Sequence, residues 1–158
     1  MAFDAFLKID GIPGESLTQK HKGEILISSF SWGVQQQGSA GGGSGGGAGK
    51  ATFQDFHFVA HAGKQSPLLM LACASGKHIP KAILTLRKSG QDQLDFTTIT
   101  LTDCLVSGFA PNGDRGLHED RPAESISLNF TKIEWSQTVQ NTGEVVDVIV
   151  DFSSPPTP

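Results

Sequence analysis

Residues 38–52 read GSAGGGSGGGAGKAT and end in a Gly-Lys pair followed by Ala and Thr. A glycine-rich stretch running into Gly-Lys suggests a phosphate cradle. In such a loop the backbone N–H groups wrap the phosphates, the lysine reaches the outer ones and a hydroxyl holds magnesium. Two fixed positions of that pattern fail here. Anchored on Lys50, G-x-x-x-x-G-K-[ST] needs glycine at 44 and a hydroxyl at 51, where the chain carries Ser44 and Ala51. A phosphate loop must also open a helix, whose N-terminus supplies the positive end of the dipole. The text after Lys50 is ATFQDFHFVAHA, in which Phe56, Phe58 and Ala60 recur at period 2, the spacing of a strand. Gly41, Gly43 and Gly46 also match G-x-G-x-x-G, a match that this composition makes nearly free, and again no helix follows. The tract therefore reads as a long loop between two strands, whose Gly/Ser composition disfavours a fixed backbone.

The remaining chemistry-bearing residues are scattered. His57 and His61 have the four-residue spacing of a helical metal site, but they sit in strand text. On a strand they share a face about 13 Å apart, too far for one metal ion to bind both. His118 and Asp120 fall in a polar loop that reads as solvated rather than metal-binding. Cys73 and Cys104 lie in apolar surroundings with no local helper to activate a thiol, so both read as small buried side chains; a disulfide between them is left open but is not implied by a pair so far apart. No catalytic constellation, cofactor site or metal site emerges, and the chain reads as a non-enzyme.

The elements that would position any site are mostly strands. At 158 residues and net charge −4, the chain has the size of one domain and no excess of basic residues to attract nucleic acid. No apolar run is long enough to insert in a membrane as a helix, and the N-terminus shows no secretory signal. Seven runs read as strands: AFLKIDG, EILISSFSWGVQQQ, the phenylalanine-rich run, AILTLRK, LDFTTITLTDCLVSGF, ESISLNFTKIEWSQTV and EVVDVIVDF. One helix is expected over SPLLMLACAS, with Ser66 as N-cap, Pro67 in the first position and Gly76 closing it. Its interior is apolar all round, which predicts packing on more than one side. Six or seven strands that close on themselves with one helix describe a β-barrel or sandwich.

Two of these strands change face. Ile25 and Ile27 give way near Ser28-Ser29 to Phe30, Trp32 and Val34. Ile126, Leu128 and Phe130 give way to Ile133 and Trp135. A change of face needs a bulge or a second partner. Apolar residues on both faces point either to self-association or to cover by the helix.

The segments FLKIDGIPGES, EILISSFSWGV, LMLACASGKHIPKAILTLRKSG and ESISLNFTKIEW together resemble the Hcp family, the tube proteins of bacterial type VI secretion systems, in order from about residue 3 to residue 140. The Ser31-Trp32-Gly33 triplet and the Ser75-Gly76-Lys77-His78 corner carry much of that resemblance. It implies an antiparallel β-barrel flanked by one short α-helix, similar to phage tail-tube proteins. The barrel domain is set at residues 1–152, and SSPPTP at 153–158, which cannot join a sheet well, reads as a flexible tail. The resemblance further implies a homo-hexameric ring. Rings stack into a hollow tube inside contractile sheath proteins, tipped by a spike protein, with secreted effectors carried in the lumen. The protein would be bacterial and cytoplasmic before firing, and exported without a cleaved signal peptide.

Three site expectations follow. Ser29 and Ser31 alternate with Phe30 and Trp32 and so form a small polar face opposite the apolar side; the resemblance implies that this face lines the lumen, and a solvent-exposed outer wall is the alternative. Trp32 is a core or interface anchor. The glycine loop, marked by Gly38, Ser39, Gly43, Ser44, Gly49 and Lys50, is the inter-subunit loop. GEVVDVIVDFSSPPTP departs from the family's expected tail, and no role is assigned to it. A monomeric barrel that carries a small ligand is the competing reading, and an enzyme built on His118 and Asp120 is the third.

Overall fold

The chain punctuates its strand text with turns and face changes, and each becomes a break in the sheet. The computed structural model describes residues 3–36, 51–89, 94–113 and 121–152. Within them lie ten strands: β1 (Phe3–Ile9), β2 (Ile25–Ser31), β3 (Val34–Gln36), β4 (Ala51–Phe53), β5 (Phe56–His61), β6 (Ile79–Lys88), β7 (Asp95–Asn112), β8 (Ala123–Asn129), β9 (Lys132–Thr138) and β10 (Val145–Asp151). Three of the seven expected runs each divide in two. The breaks fall at Trp32-Gly33, Gln54-Asp55 and Phe130-Thr131, where the chain leaves one partner strand for another.

Six strands close a barrel in the order β7-β6-β1-β2-β5-β8, with β8 pairing back onto β7 and every ladder antiparallel. β7 pairs with β6 along one edge and is long enough to serve two partners along the other. Leu105–Asn112 pairs with β8 inside the barrel, while Thr97–Thr102 pairs with β9. β10 lies beyond β9, so the two form an arm projecting from the barrel. Both expected face changes are present. The first is a register shift between Ile27 and Ser29. The second is the gap between β8 and β9, opposite Asp103, which adopts a positive φ of 52° that aspartate tolerates better than most residues.

Strand alternation fills the interior. Leu7, Ile25, Phe56, Phe58, Leu84, Ile99, Leu101, Ile126 and Leu128 are all essentially inaccessible to water. Phe58, 1% exposed, sits at the centre of the row Phe30–Phe58–Ile126–Phe109 that crosses β2, β5, β8 and β7. The segment between β1 and β2 was expected to be a plain loop. Instead it folds back over β1, with a short 3-10 turn at Gln19–His21. His21 stacks flat on Phe6 at 4.4 Å, with Nδ1 2.9 Å from Glu24 and Nε2 3.2 Å from Asp95.

The helix α1 spans Gln65–Ser75 and corrects two expectations. Ser66 lies inside it, and Lys64 takes the cap position without a side-chain cap. The Ser66 hydroxyl is engaged elsewhere: it donates to Glu124 at 2.6 Å and accepts from the Gly63 N–H at 3.0 Å. Pro67 stays in the first turn, where no N–H is needed. Gly76 closes the helix at φ 64°, as expected. The second correction concerns packing. Only one side, with Gln65, Leu69 and Ala72, meets the barrel, and Met70 and Leu71 face solvent at 56% and 61% exposure.

Candidate functional site

Small side chains in strand text make poor core, and in this chain they gather on one surface. Two rows cross four strands side by side. One reads Ser31–His57–Ser127–Gly108 and the other Ser29–Val59–Ser125–Ala110, over β2, β5, β8 and β7. Period-2 alternation sends these residues to one side of the sheet and Phe30, Phe58 and Ile126 to the other. The rows line a shallow concavity of about 410 Å³. Ser29 and Ser31 both belong to it and are exposed, and Phe30 between them packs against the core. His57, set aside as a metal ligand, is the one titratable side chain in the two rows.

The lower end of this wall is held by a polar network. Ser107 donates to Asp55 at 2.6 Å and lies 2.8 Å from the Ser127 hydroxyl, while Asn129 donates to the other Asp55 oxygen at 3.0 Å. The network spans a register shift of β7 between Val106 and Gly108. A Cβ at 108 would stand 2.7 Å from the Ser127 hydroxyl, so a side chain there would displace that hydroxyl. Sequence reading missed Ser125, Ser127 and Gly108 as partners of Ser29 and Ser31. Their only sequence signal was a small residue at every second position of two separate runs.

The wall has two unlike borders. β1 pairs with β2 only as far as Ile27, so Ser28–Ser31 has no strand partner on that side among the described residues. At the opposite border, Leu105–Pro111 of β7 has β8 as its one strand partner among the described residues, because the ladder with β6 stops at Cys104.

Trp32 stands apart from the serines. It is half-buried, packs against the core and meets Trp135 edge-on, with ring centroids 5.6 Å apart. It borders a second concavity of about 350 Å³, almost wholly apolar, formed with Val34, Phe53, Trp135 and the Val146, Val148 and Val150 face of β10.

Gly38, Ser39, Gly43, Ser44, Gly49 and Lys50 lie outside the described residues, as do His118, Asp120 and the tail 153–158. Among the described residues no group of three potential metal ligands comes together, and no helix is long and apolar enough to cross a membrane. His57 and His61 share a strand face, as their spacing requires. Both cysteines are free; Cys73 is half-buried and Cys104 is buried. Burial, with the negative charge of Asp103 adding to it, pushes the Cys104 thiol up to about 12 from its ordinary value of 9.0. A thiol so raised stays protonated at neutral pH and is a poor nucleophile.

Known proteins share both sequence and architecture with this chain. Residues 6–137 match the family model described as "Type VI secretion system effector, Hcp". The Pseudomonas aeruginosa protein hcp1 is 45% identical over 135 residues, which is 85% of this chain and 82% of that protein. The solved structure of Hcp1 from Salmonella typhimurium superposes with a TM-score of 0.83 at 38% identity and covers 97% of both chains. A type VI secretion system effector from Yersinia pestis superposes at 0.77 with 35% identity, over 94% of this chain and 99% of its own. With the matched region running from β1 through β9, and the barrel and flanking helix reproduced in solved relatives, the chain belongs to the Hcp family of type VI secretion system tube proteins.

Proposed function

We propose that this chain is a non-enzymatic structural subunit that closes into a hexameric ring, and that the rings stack into a hollow tube. The observation that carries this reading is the four-stranded wall with two unlike borders that have no strand partner among the described residues, β2 at Ser28–Ser31 and β7 at Leu105–Pro111. Unpaired strand edges are templates for pairing with another chain. Two different borders on one wall favour a head-to-tail contact, and such contacts generate a ring when the rotation closes. The concave side with Ser29 and Ser31 would then face the lumen, and its small side chains would leave room for cargo. The barrel interior, filled by Phe56, Phe58, Leu84 and Leu101, speaks against a carrier that holds a small ligand inside the barrel.

In this reading Trp32 is a core or interface anchor, and the glycine loop from Gly38 to Lys50 touches a neighbouring subunit. A flexible segment of about 12 residues reaches roughly 20 Å, enough to do so. The family points further to a contractile sheath around the tube, a spike at its tip, effectors in the lumen, and residence in the bacterial cytoplasm before export without a cleaved signal. Light scattering on the eluting protein should give about six times the 16.7 kDa chain mass; a monomer at all concentrations removes the reading. Ser31→Gln tests the lumen. Rings should still form, and a co-expressed effector should be retained less than by wild type. Equal retention would take Ser31 off the lumen wall.

A further inference from the structure

The arm formed by β9 and β10 places an apolar strand in water. Val145, Val146, Val148 and Ile149 are each at least half exposed, and β10 is an outermost strand of the eight-stranded sheet. With Trp32 and Trp135 it forms the 350 Å³ apolar groove. A monomer rarely leaves a patch of this kind uncovered, and an unpaired apolar edge invites association. The chain's own remaining segments do not have the chemistry to cover it. Residues 1–2, 37–50, 90–93, 114–120 and 153–158 contribute Met1 and Leu117 as their only large apolar side chains. A second copy of the chain can supply that cover.

The same chain carries a surface of the complementary kind. On α1 the solvent side is Pro67, Met70, Leu71 and Ala74, spaced i, i+3, i+4 and i+7, and all four are exposed. That spacing is the anchor pattern of a helix that lies in an apolar groove. The net charges are opposite as well: the stretch from Lys64 to His78 contains basic residues and no carboxylate, whereas the arm carries Glu134, Glu144, Asp147 and Asp151 against the single Lys132. Glu134, Asp147 and Asp151 alternate with the groove residues and lie on the other face of the arm, so this match steers the approach and makes no contact inside the groove. Groove and helix face are different surfaces of one chain, so their contact is head-to-tail and extends around a ring.

We infer that the apolar groove of the β9–β10 arm receives the exposed face of α1 from the adjacent subunit of the ring. The inference rests on the ring reading. It adds an outer contact to the one expected between the borders of the concave wall.

The test uses the full chain. In a Cys73→Ser background, Leu71→Cys and Val148→Cys are introduced together, and Cys104 remains buried. Both sites are more than half exposed, so the subunit fold should tolerate them. Treatment of the assembled protein with a short bismaleimide should give a covalent ladder on a denaturing gel that ends at about six chains. Each single variant alone should give none. Strong self-crosslinking of Val148→Cys alone would put arm against arm and overturn the assignment, as would a ladder running well past six. Leu71→Glu is the independent arm. It should lower the ring mass toward the single chain with circular dichroism unchanged, and an undiminished ring would overturn the proposal. Wild-type rings without the ladder remove this inference only. A wild type that is monomeric throughout removes the ring reading with it.

Discussion

Phe58→Ala probes whether the concave wall is rigid because of what lies beneath it. Phe58 is 1% exposed, is flanked on its own face by Phe56 with ring centroids 6.1 Å apart, and pairs in register with Phe30 and Ile126. Deleting the ring removes its transfer free energy and leaves a cavity in the middle of a closed barrel, which can relax only partly. The expected loss is about 3–5 kcal/mol. Against a typical domain stability of about 5–15 kcal/mol, that is a large fraction. With a urea slope of about 2 kcal/mol/M the midpoint should fall by about 2 M. A thermal midpoint should fall by roughly 10 °C for a chain of this size. Because subunit assembly stabilises the fold by mass action, wild type and variant must be compared at matched concentrations over a wide range. A midpoint shift of less than about 0.5 M urea at every concentration would refute the picture of a close-packed layer under the two serine rows.

Three further outcomes are expected. Cys104 holds its proton more tightly when folded, so its contribution to stability is fully present below pH 9 and is lost as pH rises toward about 12. Cys104→Ala should therefore flatten the alkaline decline in urea midpoint, and in native wild type at pH 8 a thiol reagent should label Cys73 well before Cys104; rapid labelling of Cys104 would contradict its burial. Trp32→Ala removes a half-buried ring, so it should cost the subunit less than the roughly 3–5 kcal/mol of a fully buried aromatic, yet reduce ring mass in light scattering; unchanged assembly would limit Trp32 to the subunit's own packing. Trimming the loop between Gly38 and Gly49 should change subunit stability little, since closure entropy varies slowly with loop length, and should weaken assembly instead. A large fall in thermal midpoint with rings intact would reverse that assignment.

The local grammar of this chain was legible without coordinates. Period 2 in LKI, FHF and ISL located strands whose alternate residues are buried. The face change at Ser28-Ser29 emerged as a register shift, because a one-residue slip is the way a strand moves its apolar set to the other side. Gly76 ended the helix where a left-handed residue was needed. The phosphate-cradle match could be dismissed from two wrong residue types and the strand text that follows it. Family membership was readable too, since it rests on residues in order rather than on their positions in space.

Long-range choices were not legible. Ser66 has the chemistry of a cap, and only Glu124, 58 positions away, explains why its hydroxyl is used otherwise. Neither His21 nor Phe6 signals in sequence that one will stack on the other. Ser29 and Ser31 could be assigned a face from their own strand, but Ser125, Ser127 and Gly108 join them only through ladders that bring four distant segments side by side. The helix was apolar all round in sequence, and the fold alone determined which side the barrel would cover. A strand's periodicity states that it has two faces. Which face meets which neighbour depends on pairing across the whole chain, and that is a property of the tertiary structure.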